Sequence, residues 1–106
     1  MRKETIERIK KFNSDRNWEQ FHSPANLAKG LSIEASELLE CFLWDEVNYN
    51  VDKVKEELAD VIIYVQDLLN KLNLDVDEIV NNKMVQNEAK YPIEKAYGRS
   101  NKYDEL

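Results

Sequence analysis

From about Asp52 to Leu72 the apolar residues Leu58, Val61, Ile62, Val65, Leu68, Leu69 and Leu72 return at helical spacing, with no Gly or Pro among them. Taking each residue as a rotation of about 100° and Glu57 as zero, they fill an arc of about +20° to +140°. A helix with one such stripe must bury it against other elements. The chain has only two Gly and two Pro, too few for the turns of a β sandwich or barrel. These features predict an all-α fold.

Three further segments carry the same period. Ile6, Ile9 and Phe12 place a short amphipathic helix over residues 2–15. RNWEQFHSP then breaks the pattern as an aromatic loop. Ser23 followed by Pro24 is a helix start, with a capping hydroxyl and then Pro at the first helical position. The second helix is expected from about Pro24 to Trp44. Gly30 inside it weakens it by roughly 1 kcal/mol relative to Ala, which close packing at that position would explain. The third helix is the Asp52–Leu72 segment, ended by Asn73. Asp75 can cap a fourth from Val76 to Tyr91, stopped by Pro92. The remainder, IEKAYGRSNKYDEL, reads as an irregular tail. Helices joined by short loops give a four-helix antiparallel bundle, here as a single domain over residues 1–106. The short first helix implies that dimerisation completes the burial of its faces.

Two acidic pairs lie on these helices. Glu34 and Glu37 are three apart on the second, and Glu57 and Asp60 three apart on the third. Residues three apart on a helix share a face. On the second helix, with Glu34 as zero, Glu37, Cys41 and Trp44 fall between about −80° and −20°. On the third, Asp60 and Tyr64 lie at about −60° and −20° from Glu57. Each helix thus pairs an apolar stripe with a flanking stripe of acid, acid and aromatic. No Lys or Arg follows these acids at the next turn to neutralise them. Two such helices packed together can aim four carboxylates at one point, and hard oxygen ligands suit a divalent cation such as Mg²⁺. An ordinary solvated acidic edge is the alternative. A di-iron bundle would need a Glu-x-x-His on its metal helices, and the lone histidine, His22, lies in a loop.

The formal charge of −6 argues against binding a nucleic-acid polymer, which needs Lys and Arg to displace counterions. One cysteine, Cys41, permits no intrachain disulfide and no zinc cluster. The first residues, MRKETIERIKKF, lack the apolar run of a signal peptide. No stretch approaches the ~18 apolar residues of a membrane span. The cytoplasm is the expected compartment.

The segments EASELLECFLW and EELADVIIYV resemble the all-α nucleoside triphosphate pyrophosphohydrolases of the MazG-like group. RNWEQFHSPANLAKGL before them, and KMVQNEAKYP and NKYDEL after them, make the chain similar to the dCTP pyrophosphatase branch. The resemblance runs from about Ile6 to the C-terminus. It implies that Glu34, Glu37, Glu57 and Asp60 bind Mg²⁺, or alternatively Mn²⁺. It implies that Trp18, Phe21 and His22 line the base and sugar pocket, with Trp44 and Tyr64 as further substrate contacts. Lys83 and Asn87 of the fourth helix are implied to reach the phosphates. Many MazG proteins carry another Glu just before the first motif. This chain has Ile33 there, as the dCTP branch also lacks that Glu.

The expected reaction is metal-dependent attack of water on the α-phosphorus of a deoxynucleoside triphosphate. It yields a monophosphate and pyrophosphate, with Glu34 or Glu37 as the base. The expected substrate is dCTP or a modified pyrimidine relative, in house-cleaning of the nucleotide pool. One alternative keeps the chemistry with dATP, dUTP or broad specificity. An alternative of another class is a non-catalytic, dimerising helical module. Relatives in this group imply a homodimer or a dimer of dimers.

Overall fold

A computed structural model describes all 106 residues. It is wholly helical: α1 (Lys3–Asp15), α2 (Pro24–Glu40), α3 (Val51–Leu72), α4 (Val76–Lys90) and α5 (Ile93–Ala96), with 3₁₀ turns at Glu19–Phe21 and Tyr103–Glu105. The backbone divides into two compact units, Met1–Asn73 and Leu74–Leu106.

In the first unit the helix ends follow local chemistry. The Asn13 carbonyl accepts from the amides of Arg16 and Trp18, at 3.3 and 3.0 Å, around Asn17 in the left-handed region (φ 54°). That turn sets the Trp18 ring edge-on against Phe12, 5.4 Å between centroids. Ser23 Oγ accepts from the Asn26 amide at 3.1 Å and Pro24 opens α2, as a capping hydroxyl followed by Pro requires. Asn26 Nδ2 donates to the Phe21 carbonyl, tying the aromatic loop to the helix start.

The sequence reading carries α2 to Trp44, but the helix ends at Glu40. Cys41 and Phe42 donate to carbonyls only three residues back. Asp45 Oδ1 accepts from the amides of Val47 and Asn48, at 3.0 and 2.8 Å. A side-chain acceptor that rewards a turn competes with helix continuation. Trp44 therefore lies in the connection. Asn50 Oδ1 then caps α3 through the amides of Asp52 and Lys53, and Asn73 closes it in the left-handed region (φ 53°).

Helix α3 is the central element, packed against α2 and α1. Gly30 of α2 meets Tyr64 of α3, while Glu34 and Glu37 meet Glu57. Contacts that move forward on one helix and backward on the other make the pair antiparallel. Leu27 and Leu69 are the only buried apolar residues. Four polar residues are buried with them: Asn13, Glu57, Gln66 and Asp67. Ile33, Leu39, Leu43 and Leu58 are exposed.

In the second unit Asp75 Oδ2 caps α4 through the Glu78 amide at 3.0 Å. Pro92 ends that helix, and its carbonyl accepts the first bonds of α5. The tail expected to be irregular is partly ordered in this way. Its 3₁₀ turn is tied back, with Tyr103 edge-on to Tyr91 and beneath the Lys90 ammonium. Arg99 also donates to the Glu105 carbonyl.

Candidate functional site

The α2–α3 pair is close because of one glycine. A Cβ on Gly30 would clash with the Tyr64 ring, 2.7 Å from Cζ and closer still to Cε1. The absent side chain lets α3 approach α2 beside the acidic residues one and two turns further along α2.

There Glu34, Glu37 and Glu57 converge, each offering a carboxylate oxygen within 4.8 Å of the others. Glu57 is buried, with Glu34 and Glu37 half-buried. Oε2 of Glu34 and Oε2 of Glu57 are sealed from solvent with no hydrogen-bond partner. Leaving buried carboxylate oxygens unpaired is costly. Glu57 Oε1 has one cation, Lys53 Nζ at 3.0 Å. Lys53 stands four residues before Glu57, on the side opposite to the positions weighed from the sequence. A hydrogen bond shared with Glu34 and repulsion from that carboxylate, then burial, then the same two effects from Glu57, push the Glu37 carboxyl up to about 7. The same ion pair raises the Lys53 ammonium. Three crowded carboxylates with two orphaned oxygens fit a hard divalent cation, which takes oxygen ligands and relieves their repulsion.

Asp60 is not part of that trio. Residues three apart on a helix differ by about 60° in direction. With Glu57 turned to α2, that offset sets Asp60 beside the trio, on the groove side of α3. It is exposed there and lines a groove between α1 and α3. Three of the four carboxylates singled out from the motifs therefore meet within 4.8 Å of one another, and Asp60 is the fourth.

The groove has a volume of about 630 Å³. Trp18, His22, Asp60 and Tyr64, all singled out from the sequence, share its lining. Phe21 lies outside it on the 3₁₀ turn, exposed, and Trp44 is 95 % exposed in the α2–α3 connection. Lys83 and Asn87 lie one turn apart on α4 in the second unit. Cys41 is half-buried, its Sγ directed to the Glu37 carbonyl at 3.7 Å.

Two lining residues were missed. Asn13 and Asp67 also face the groove, buried and joined by a 2.9 Å bond from Asn13 Nδ2 to Asp67 Oδ1. The signal was present. Asp67 lies at about −80° from Glu57, so it extends the stripe of Asp60 and Tyr64 by another turn. Asn13 lies at about −20° from Ile6, within the apolar stripe of α1. Burial pushes the Asp67 carboxyl above its ordinary value, against the opposing pull of Asn13 and His22.

An all-α chain whose central helix pair holds a knot of carboxylates able to take a metal ion, beside an aromatic groove, has the outline of a small phosphohydrolase. The comparisons agree. A model of the MazG-like family matches residues 29–106, and the chain belongs to that family. It is 36 % identical to human dCTP pyrophosphatase 1, over 96 % of this chain and 68 % of that protein. The mouse dCTP pyrophosphatase 1 is 34 % identical over the same shares. Among solved structures, a pyrophosphatase from Archaeoglobus fulgidus is 39 % identical. It superposes with a TM-score of 0.79, covering 84 % of this chain and 90 % of that one.

Proposed function

We propose that this MazG-like nucleoside triphosphate pyrophosphohydrolase acts on dCTP or a modified pyrimidine deoxynucleotide, releasing the monophosphate and pyrophosphate with Mg²⁺ or Mn²⁺ as cofactor. The observation that carries the reading is the trio Glu34, Glu37 and Glu57, with two buried oxygens that lack any partner. The dCTP pyrophosphatases of human and mouse support the choice of base.

A triphosphate cannot approach a knot of carboxylates unaided. A divalent cation held by Glu34, Glu37 and Glu57 would supply charge neutralisation for the phosphoryl oxygens. The chain's own residues do the rest. Glu34 or Glu37 accepts the proton of the attacking water. Water oxygen bonds to the α-phosphorus, the bond from that phosphorus to the bridging oxygen breaks, and pyrophosphate leaves. Asp60 would be an additional ligand for that ion from the groove side. Trp18 stacks on the base, a contact worth roughly 1–3 kcal/mol, with His22, Tyr64, Phe21 and Trp44 as further substrate contacts. No helix is long and apolar enough to cross a membrane, and the cytoplasm is the proposed compartment. The exposed Ile33, Leu39, Leu43 and Leu58 support a homodimer or dimer of dimers.

A panel of nucleoside triphosphates with Mg²⁺, scored for pyrophosphate against orthophosphate, tests the reaction. Pyrophosphate with dCTP preferred is the expected result. Orthophosphate as the main product would reject attack at the α-phosphorus. Equal rates with dATP and dUTP would move the reading to broad specificity. A chain that turns over nothing and gains no stability from Mg²⁺ would be a helical binding module.

A further inference from the structure

The groove between α1 and α3 is lined mainly by apolar and aromatic side chains, with Thr5, Arg8, Asn13, His22, Asp60 and Asp67 as its polar members. Asn13 and Asp67 are each 8 % exposed, and only one protein bond satisfies them, Asn13 Nδ2 to Asp67 Oδ1 at 2.9 Å. A carboxylate holds about four acceptor positions and, when ionised, no donor. Asp67 Oδ2 has no protein donor and is not sealed from solvent; Asp67 and Asn13 line both this groove and a neighbouring cleft with Lys10, His22 and Lys71. The opposite requirement comes from the ligand. A flat ring stacked on Trp18 or Tyr64 in this groove presents an edge to its floor. Stacking accepts any base, so choice has to come from hydrogen bonds at that edge.

We propose that Asp67, held by Asn13, is the base-reading residue of this protein: its free oxygen accepts from the exocyclic amine of an amino-bearing base and rejects a carbonyl in its place. The inference rests on the reading of the chain as a nucleoside triphosphate pyrophosphohydrolase. Cytosine offers an amine donor where uracil and thymine offer a carbonyl acceptor. Against a fixed carboxylate, the carbonyl leaves two acceptors face to face and both unpaired, which a buried site penalises. A carboxylate accepting from the cytosine amine is an established pairing in base recognition, worth about ten- to hundredfold in discrimination. Asn13 takes up Oδ1 and so fixes the plane of the carboxylate, leaving Oδ2 toward the ligand.

The test compares dCTP with dUTP, which differ at that edge alone. Wild-type kcat/KM is expected to favour dCTP at least about tenfold. Asp67→Leu is expected to bring the ratio toward one, chiefly through a higher KM for dCTP. Asp67→Asn, which can turn an NH₂ into the groove, is expected to shift it further toward dUTP. Melting curves report whether each variant is folded. A measurement on the unaltered protein stands beside them: the side-chain NH₂ resonances of Asn13 should move on titration with dCMP and stay still with dUMP. Folded variants that keep the wild-type ratio, or an Asn13 amide unmoved by saturating dCMP, would overturn the assignment while leaving triphosphate hydrolysis intact. Failure of the wild-type protein to hydrolyse any triphosphate would remove both readings, whereas hydrolysis with no distinction between the two monophosphates would remove the assignment of Asp67 alone.

Discussion

The Tyr64 ring occupies the space that a side chain on Gly30 would need. Two helices are drawn together at that point, and the acidic trio lies further along the same contact. The sequence could locate a glycine that weakens α2, and the structure supplies what compensates for it.

Gly30→Ala is therefore expected to destabilise the protein. Helix propensity alone would stabilise it by about 1 kcal/mol, while overpacking against a ring costs about 1–3 kcal/mol. Packing should win, because the obstacle is an aromatic ring between two helices. Urea denaturation gives the sign, and a net gain in stability would mean that the ring moves aside freely.

Millimolar Mg²⁺ should raise the melting temperature, since a ligand bound only by the folded state stabilises it by mass action. Glu57→Gln and Glu37→Gln should remove that rise together with turnover. Asp60→Asn should keep part of the rise, because Asp60 stands outside the trio. An equal loss in Asp60→Asn and Glu57→Gln would restore the four-carboxylate site expected from the motifs.

The crowding also sets a pH dependence. Glu37 is raised from 4.5 to about 7 by Glu34 and Glu57. The folded state therefore holds a proton that the unfolded chain releases earlier. The stability contributed by this group is full below the unfolded value and is lost as pH rises through the folded one. Without metal, the melting temperature should fall from about pH 4.5 to about pH 7, and Glu37→Gln should flatten that slope. The raised Asp67 carboxyl acts in the same direction. A metal-free profile that rises over this interval would contradict the repulsion.

Trp18→Ala should raise KM for the nucleotide by roughly five- to a hundredfold, as expected for loss of one stacked base. Trp18→Phe should recover most of it, since a smaller flat face remains. An unchanged KM in Trp18→Ala would place the base elsewhere than the α1–α3 groove.

Much of this was legible in the residues. The Ser23–Pro24 start, the Asp75 cap and the Asn73 stop all depend on bonds within a few residues, and local chemistry of that kind is written in the sequence. The end of α2 was misread because Asp45 competes for backbone amides that an apolar pattern through Trp44 would give to the helix. The short α5 escaped notice because four residues are too few to show a period. Among the site residues, Trp18, His22, Asp60 and Tyr64 do share one groove, while Asn13 and Asp67 were passed over as a polar residue in an apolar stripe and one more acid among many.

Periodicity and capping chemistry alone determined an all-α chain with two acid-bearing helices, because both act over one or two turns. Which acids meet was decided by the tertiary structure. Glu34, Glu37 and Glu57 converge along the contact that Tyr64 makes over Gly30, and a meeting of distant residues of that kind leaves no trace in local spacing.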